Sequence, residues 1–384
     1  MKLKSNDKKE SRMQVKLGAR SYSVLVGPGV TNRLGQVLRQ LRSPTGCSQS
    51  KRGILLADER LTHPAKKVLA VLRKSGWKMD VIKLAAGESL KDFQSILPIY
   101  GDFLKLGIDR SSTVFVLGGG TLGDAGGFLA STYLRGVSWV GIPTTLLAQV
   151  DSSIGGKTGV NHSLGKNLIG TFHQPALVVC DTNFLKTLSL REIISGLGEV
   201  IKYALTYDKE LFVYLNKHWR AALDLDAKVL SKLVHESLSW KAKVVAADEW
   251  DRKGRREVLN FGHTFGHALE AATNYEIFQH GEAVIWGMRF AICLSEIKGH
   301  LSQKQEKTIT AFLNMIEVPA LPKHIGFDQL TQAMAKDKKK HEGRIRFVLL
   351  KRLGRAVLDV TVTRDDLEKA YRKLLVGGHH AEES

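Results

Sequence analysis

The sequence predicts an α/β domain, a parallel sheet covered by helices, followed by a mainly α-helical domain. Two observations carry this. In the first half of the 384-residue chain, short β-rich runs alternate with stretches whose apolar residues recur at helical spacing, the pattern of a parallel sheet flanked by helices. From about Leu185 onward long helical patterns take over. The boundary is placed there, giving an α/β domain over residues 1–184 and a mainly helical domain over residues 185–384. Two domains suit this length, since domains run to roughly 100–200 residues.

In chain order, the expected strands are Tyr22–Val26, Gly53–Ala57, Met79–Leu84, Thr113–Leu117, Trp139–Ile142 and Leu177–Asp181. Helical spacing over Pro64–Lys74 and Phe93–Leu106 separates them. Ser43–Arg52, rich in Ser, Gly and Lys, reads as a loop. The second half predicts helices over Leu190–Tyr207, Lys209–Lys217, Ala227–Glu249, Thr264–Ala272, Glu282–Lys298 and Gln303–Met315. A β pair follows, Ile345–Leu350 and Arg355–Val360, then a helix over Asp365–Leu375 with Thr363 as its N-cap and Asp366 placed to complete the cap.

Composition narrows the classes. Hydrophobic residues make up 43% and charged residues 25% of the chain, enough to bury a full core. No apolar run reaches the ~18 residues of a membrane span, and Met1–Arg12 is polar and lysine-rich, unlike a secretory signal. The three cysteines (Cys47, Cys180, Cys293) are far apart and odd in number. They form neither a disulfide framework nor a cysteine zinc site, and a reducing cytoplasm is expected. The net charge of +19 reads either as a basic surface with a basic tail or as a funnel for an anionic metabolite. No zinc finger, RNP motif or heptad-plus-basic region is present, so neither nucleic acid nor membrane is expected as a partner.

Three segments carry chemistry. The strand Val114–Leu117 runs into Gly118-Gly119-Gly120-Thr121-Leu122-Gly123-Asp124 and then a helical pattern. Such a turn either presents backbone N–H groups to a pyrophosphate or is a plain tight turn. Asp58, just after the second of the sheet strands, could meet an adenosine ribose. Further on, His263 and His267 stand at i, i+4, His280-Gly281-Glu282 follows, and upstream Glu199 and Lys202 stand at i, i+3, each pair on one helix face. Two histidines and a carboxylate suit a catalytic metal with open positions. HExxH is absent, which argues against a zincin protease. In Asp151–Thr158, Gly-Gly-Lys-Thr invites a phosphate-loop reading, but Asp151 stands where the first glycine would be required, so that reading fails. A glycine-flexed polar segment remains, with Lys157, Lys166 and Asn167, groups suited to a phosphate or carboxylate.

Taken together these segments resemble the 3-dehydroquinate synthase family, within the sugar phosphate cyclases. The resemblance covers nearly the whole chain, most densely residues 113–290, through Gly118–Asp124, Ser131–Gly136, Pro143–Thr158, Gly165–Asn167, Gly196–Lys202, Lys241–Glu249, Asn260–Glu270 and His280-Gly281-Glu282. It implies a Rossmann-like NAD-binding domain followed by a helical metal-binding domain. The family's metal ligands fall on Glu199, His263 and His280, with zinc or cobalt as the ion. Its NAD contacts fall on Asp58, Glu88, Lys91, Gly119, Gly120, Asp124, Thr144 and Thr145. Its substrate groups fall on Asp151, Lys157, Lys166, Asn167, Lys202, Lys241, Arg256, Asn260 and His267, with one further lysine of Asp337-Lys338-Lys339. Arg135 matches an arginine that reaches a neighbouring subunit's phosphate, which implies a homodimer. Gly198 and Gly159 stand where the family commonly has alanine; neither change removes a functional group.

The implied activity is that of a carbon–oxygen lyase of the shikimate pathway. It turns 3-deoxy-D-arabino-heptulosonate 7-phosphate, an anionic small molecule, into 3-dehydroquinate and phosphate with transient use of NAD. The alternatives are another sugar phosphate cyclase, or an NAD- and metal-dependent glycerol or alcohol dehydrogenase. The dehydrogenases have no need of the Lys157, Lys166 and Lys202 cluster.

Overall fold

The computed structural model describes residues 11–39, 50–338, 346–359 and 361–377. It divides into two compact units: Met1–Leu188 with Asp224–Trp250, and Ser189–Leu223 with Asp251–Ser384.

The first unit is built on a seven-stranded sheet. Its strands are β1 (Ser11–Val15), β2 (Tyr22–Gly27), β3 (Arg52–Asp58), β4 (Lys78–Leu84), β5 (Thr113–Gly118), β6 (Ser138–Pro143) and, after a separate hairpin of β7 (Lys157–His162) and β8 (Gly165–Phe172), β9 (Leu177–Asp181). The order is β1-β2-β9-β6-β5-β3-β4. Only β1 runs antiparallel to its neighbour. The central strands β2, β5, β6 and β9 are buried along their whole length. That is why their sequences are near-continuous apolar runs: a parallel sheet is covered on both faces.

The two faces sort by the strand period of two. Leu55, Ala57, Phe115 and Leu117 pack with Val68 and Leu72 of the Thr62–Lys74 helix. Ile54, Leu56, Val114 and Val116 pack on the other side with Ile96 and Phe103 of the Phe93–Lys105 helix and Leu129 of the Gly120–Thr132 helix. The chain runs from β3 outward to β4, then returns to the opposite side of β3 as β5. The carboxyl ends of β3 and β5 therefore flank a topological switch point, where such sheets bind ligands. Asp58 and Gly118 stand at those two ends.

All six expected sheet strands form. The departures have physical causes. Ser11–Val15 falls partly within the stretch read as a polar tail; as an edge strand it half-buries Ser11 and Met13, buries Val15 and exposes the residues between. The segment around Lys157–Asn167 was read as a flexed polar stretch and is instead the β7–β8 hairpin. Its small residues are what let the strands pair closely: a Cβ on Gly170 would lie 2.3 Å from the Thr158 carbonyl oxygen. The helix Ala227–Ala247 was expected with the second domain but belongs to the first unit. Its Lys241 bonds Asp151, and its Ser231 and His235 meet Thr182 and Ser11.

The second unit is helical. The helices Leu190–Thr206, His263–Ala272 and His280–Ile297 form its centre, with the hairpin β10 (Phe347–Arg352) and β11 (Arg355–Asp359) beside them. Phe265, Leu269, Trp286, Phe290, Phe347 and Leu349 share its apolar core. Ser189 and Glu192 close the first of these helices with a reciprocal cap. The expected Thr363–Asp366 cap forms, with Asp366 N–H donating to Thr363 Oγ1 at 3.2 Å and Thr363 N–H to Asp366 at 2.9 Å. The helix Phe327–Lys338 was not expected from the sequence. Lys339 lies outside the described residues, as do Cys47, residues 43–49 of the expected loop and Val360 of the expected strand; nor is the Lys338 side chain described.

Candidate active-site clusters

In the first unit the glycine turn closes β5 and opens the Gly120–Thr132 helix. Thr144 N–H donates to the Gly118 carbonyl at 2.9 Å and Gly123 N–H to that of Gly119 at 3.0 Å. Side chains are crowded out here by their neighbours. A Cβ at Gly118 would lie 2.6 Å from Leu122, one at Gly119 3.1 Å from Thr145, and one at Gly120 2.9 Å from Ser152. Gly118, Gly119, Gly120, Asp124, Ser152 and Lys157 line a shallow pocket open to solvent. A bare turn at a helix start, beside a pocket and at the switch point, has the backbone form that can receive a pyrophosphate.

Around the turn the expected residues form two linked groups. Lys91, 3% exposed, bonds Asp124 at 2.8 Å and also the Asn167 side chain. Asn167 has a left-handed backbone, φ 56°, and its N–H donates to Asn161, whose amide donates to Glu88 at 2.8 Å. Burial raises the Asp124 carboxyl above its ordinary range, against the pull of the Lys91 ammonium. Thus Glu88, Lys91 and Asp124, expected at the cofactor, and Asn167, expected at the substrate, form one network. Separately, Lys241 bonds the Asp151 backbone carbonyl at 2.7 Å and pairs with its carboxylate at 2.9 Å. Asp58 is buried and held by Arg60, whose Nε and Nη2 donate to it at 3.0 and 2.7 Å. Burial pushes this carboxyl up, but the Arg60 bonds and charge prevail and hold it below the usual range. Thr144 is buried beside the turn. Lys166 is exposed on the hairpin. Arg135 is exposed on a turn where it and Leu134 both have positive φ, 66° and 49°.

In the second unit, His263 and His280 are each the first residue of their own helix. His263 follows Gly262, whose φ of 81° suits glycine. Glycines also bring the backbones together. A Cβ at Gly281 would lie 1.8 Å from the Ser195 carbonyl oxygen, and one at Gly198 2.8 Å from that of Gly281. Gly281 N–H donates to Ser195 Oγ at 3.0 Å. This contact sets Glu199 of one helix against the start of another. Glu199 Oε1 lies 3.5 Å from His263 Nε2 and 3.7 Å from His280 Nε2. One donor atom from each of the three lies within 4.8 Å of the others.

Glu199 is 1% exposed; its Oε2 is ion-paired with Lys202, while its Oε1, which faces the two imidazoles, accepts no hydrogen bond among the described residues. A buried carboxylate in that condition is costly, and a divalent cation would relieve it. Two imidazoles and a carboxylate fit zinc or cobalt. Burial, then the Lys202 charge and the neighbouring histidines, hold His263 well below its ordinary pKa. Burial also works against protonated His280, but the hydrogen bond and charge of Glu270, aided by Glu199, raise its pKa on balance.

His267 follows one turn after His263, with ring centroids 5.3 Å apart. Arg256 is buried and Asn260 is exposed at the end of the short Glu257–Asn260 helix. Sequence reasoning did not single out Glu270, whose Oε2 lies 3.4 Å from His280 Nδ1. Its spacing was the available signal: three residues after His267 and seven after His263 put it on the same helix face.

Comparison with known proteins follows the same lines. A family model for the 3-dehydroquinate synthase N-terminal region matches residues 81–195, and one for the C-terminal region matches residues 196–340. The 3-dehydroquinate synthase of Thermodesulfovibrio yellowstonii is 39% identical over 360 residues, 93% of this chain and 98% of that protein. That of Halorhodospira halophila is 43% identical over 344 residues, 90% and 94% of the two chains. Among solved structures, a 2-epi-5-epi-valiolone synthase from Streptomyces hygroscopicus subsp. jinggangensis with NAD+ and Zn2+ bound superposes with a TM-score of 0.83 at 28% identity, covering 92% of this chain and 97% of its own. An iron-containing alcohol dehydrogenase shares the fold at a TM-score of 0.61 and 13% identity, covering 92% and 97%.

Proposed function

The chain belongs to the 3-dehydroquinate synthase family, and from that premise we propose that it converts 3-deoxy-D-arabino-heptulosonate 7-phosphate into 3-dehydroquinate and inorganic phosphate. The observation that carries the reading is the convergence of Glu199, His263 and His280 within 4.8 Å in a chain so similar to named synthases. The dehydrogenase alternative is weaker: the similarity there is one of fold, at 13% identity.

In this reading Glu199, His263 and His280 hold a divalent ion, and Gly119, Gly120, Asp124, Thr144, Thr145, Glu88, Lys91 and Asp58 hold NAD. The ion supplies Lewis acidity at neighbouring substrate hydroxyls, and NAD supplies a reversible acceptor for one hydride. The chain supplies the rest. Lys157, Lys166, Asn167, Lys202, Lys241, Arg256 and Asn260 fix the substrate's phosphate and carboxylate by charge-assisted hydrogen bonds. His267 takes the hydroxyl proton as that carbon is oxidised. Oxidation acidifies the adjacent C–H. Held by the lysines, the phosphate can take that proton as its C–O bond breaks, leaving an alkene and inorganic phosphate. Because that acceptor is reversible, ring opening and aldol closure would complete the carbocycle with no net redox change.

The test is to mix the protein with the heptulosonate phosphate, catalytic NAD and zinc. Phosphate release with 3-dehydroquinate formed and no accumulating NADH is expected. Absence of phosphate release from metal-loaded protein would point to a different sugar phosphate, and steady NADH build-up to a dehydrogenase.

The assembly is read as a homodimer in which Arg135 serves the neighbouring copy. Its exposed, strained turn supports this, as do Phe93, Leu97 and Leu104, which expose an apolar stripe along one helix. Mixing Arg135→Ala chains with His263→Ala chains should restore activity if the sites are shared. The cytoplasm is the compartment this reading assigns. Cys180 and Cys293 are free thiols, and no helix among the described residues is long and apolar enough to cross a membrane.

A further inference from the structure

We infer that Glu270 is a positioning residue that sets the tautomer of His280 and thereby decides which of two overlapping donor sets receives the metal ion. The inference rests on the reading of Glu199, His263 and His280 as metal ligands.

The His280 ring stands between two carboxylates. Its Nε2 faces Glu199 Oε1 at 3.7 Å, and its Nδ1 faces Glu270 Oε2 at 3.4 Å. A neutral imidazole carries one proton and one lone pair. With the proton on Nδ1 and donated to Glu270, the lone pair at Nε2 points toward Glu199 and His263. With the proton on Nε2, that set loses a ligand, and the Nδ1 lone pair faces a carboxylate oxygen with no hydrogen between them. The second arrangement is unfavourable unless a cation enters there.

Such a cation would find donors. His267, Glu270 and His280 also bring one ligand atom each within 4.8 Å of one another. The two sets share His280, so a neutral His280 can serve only one of them at a time. Glu270 is 8% exposed and sits on the same helix as His263 and His267. By accepting the Nδ1 proton it occupies its own oxygen, withholds Nδ1 from the second set, and turns Nε2 toward the first. A carboxylate behind a ligating histidine commonly raises metal affinity in this way.

The experiment measures cobalt and zinc affinity of the full chain, without substrate, by competition with a chromophoric chelator. Glu270→Ala should weaken binding by about 10–100-fold. Glu270→Gln, which keeps an acceptor for Nδ1–H, should recover most of that loss and keep the cobalt absorption spectrum of the unaltered protein. Affinity within about twofold of the unaltered protein in Glu270→Ala would overturn the inference. A second measurement does not depend on that variant folding. Nitrogen-15 shifts of His280 in the unaltered metal-free protein should show the proton on Nδ1 when the ring is neutral, and a proton on Nε2 would overturn it.

His263→Ala and His267→Ala separate this inference from the reading beneath it. Metal lost in His263→Ala and kept in His267→Ala supports the first donor set; the reverse would overturn the ligand reading itself. If His263→Ala loses metal while Glu270→Ala keeps full affinity, only the role of Glu270 fails.

Discussion

The glycine turn of the first unit and the histidine cluster of the second place their chemistry by opposite means. At Gly118–Gly120 the chain removes side chains so that a helix start is bare toward a pocket. At Glu199, His263 and His280 it converges side chains from three helices on one point. Yet the second arrangement also rests on missing side chains, because Gly281 lets the helix carrying His280 touch the one carrying Glu199. The difference is one of layer. In the proposed sites glycine would serve the ligand directly in the first case and the ligand's holders in the second.

The largest expected effect separates the two regions. His263→Ala should lose the ion and reduce turnover by about a thousandfold, since a Lewis acid supplies several kcal/mol, while cofactor binding at the turn stays intact. Metal analysis beside phosphate-release kinetics checks this, and stoichiometric metal in the variant would break the assignment. Gly281→Ala should come next. Its new methyl would meet the Ser195 carbonyl oxygen at 1.8 Å, so a loss of about 3 kcal/mol of stability is expected, at the upper end for overpacking. Urea titration reads it, and an unchanged midpoint would show that the helix contact yields easily.

Lys157→Ala belongs to the first region and should leave the metal bound while lowering turnover about a hundredfold. Near-normal turnover would remove Lys157 from the chemistry. Gly119→Val tests the bare turn. Its backbone, φ −74° and ψ −174°, accepts a side chain, so only the space is contested. Dinucleotide affinity should fall about tenfold with metal content unchanged, as equilibrium dialysis would show.

The smallest effect concerns pH. Arg60 holds Asp58 below the ordinary carboxylate range. Its contribution is therefore fully present above the unfolded value near ~3.9 and is lost as pH falls through the lower folded value. Asp58→Asn should cost about 1 kcal/mol at neutral pH, with the gap to the unaltered protein closing in strong acid. A gap independent of pH would assign the loss to packing.

How much of this could be read from residues depended on what each element needed from its sequence. The buried strands declare themselves, as Thr113–Gly118 does with Thr-Val-Phe-Val-Leu, because burial on both faces demands it. The β7–β8 hairpin hides, since Gly159, Gly165 and Gly170 replace the alternation a strand normally shows. The helix spacing of His263 and His267 was legible. That His280 joins His263 and Glu199 was legible only through the family resemblance, because the set is closed by a carboxylate on a helix distant in sequence from the two histidines. Glu270 carried a helical signal, but nothing local says that its carboxylate faces an imidazole ten residues onward.

That both candidate histidine ligands open their helices, with the carboxylate on a third, has a consequence for the chain's life before it is complete. The donor set is complete only once His280 has followed Glu199 by more than three helices, and an unfolded chain does not hold that carboxylate against the two histidines. An ion bound there is therefore captured late, and from that moment its binding energy counts as folding energy for the second unit. A chelator would then lower the stability of the second unit while leaving that of the other's sheet unchanged.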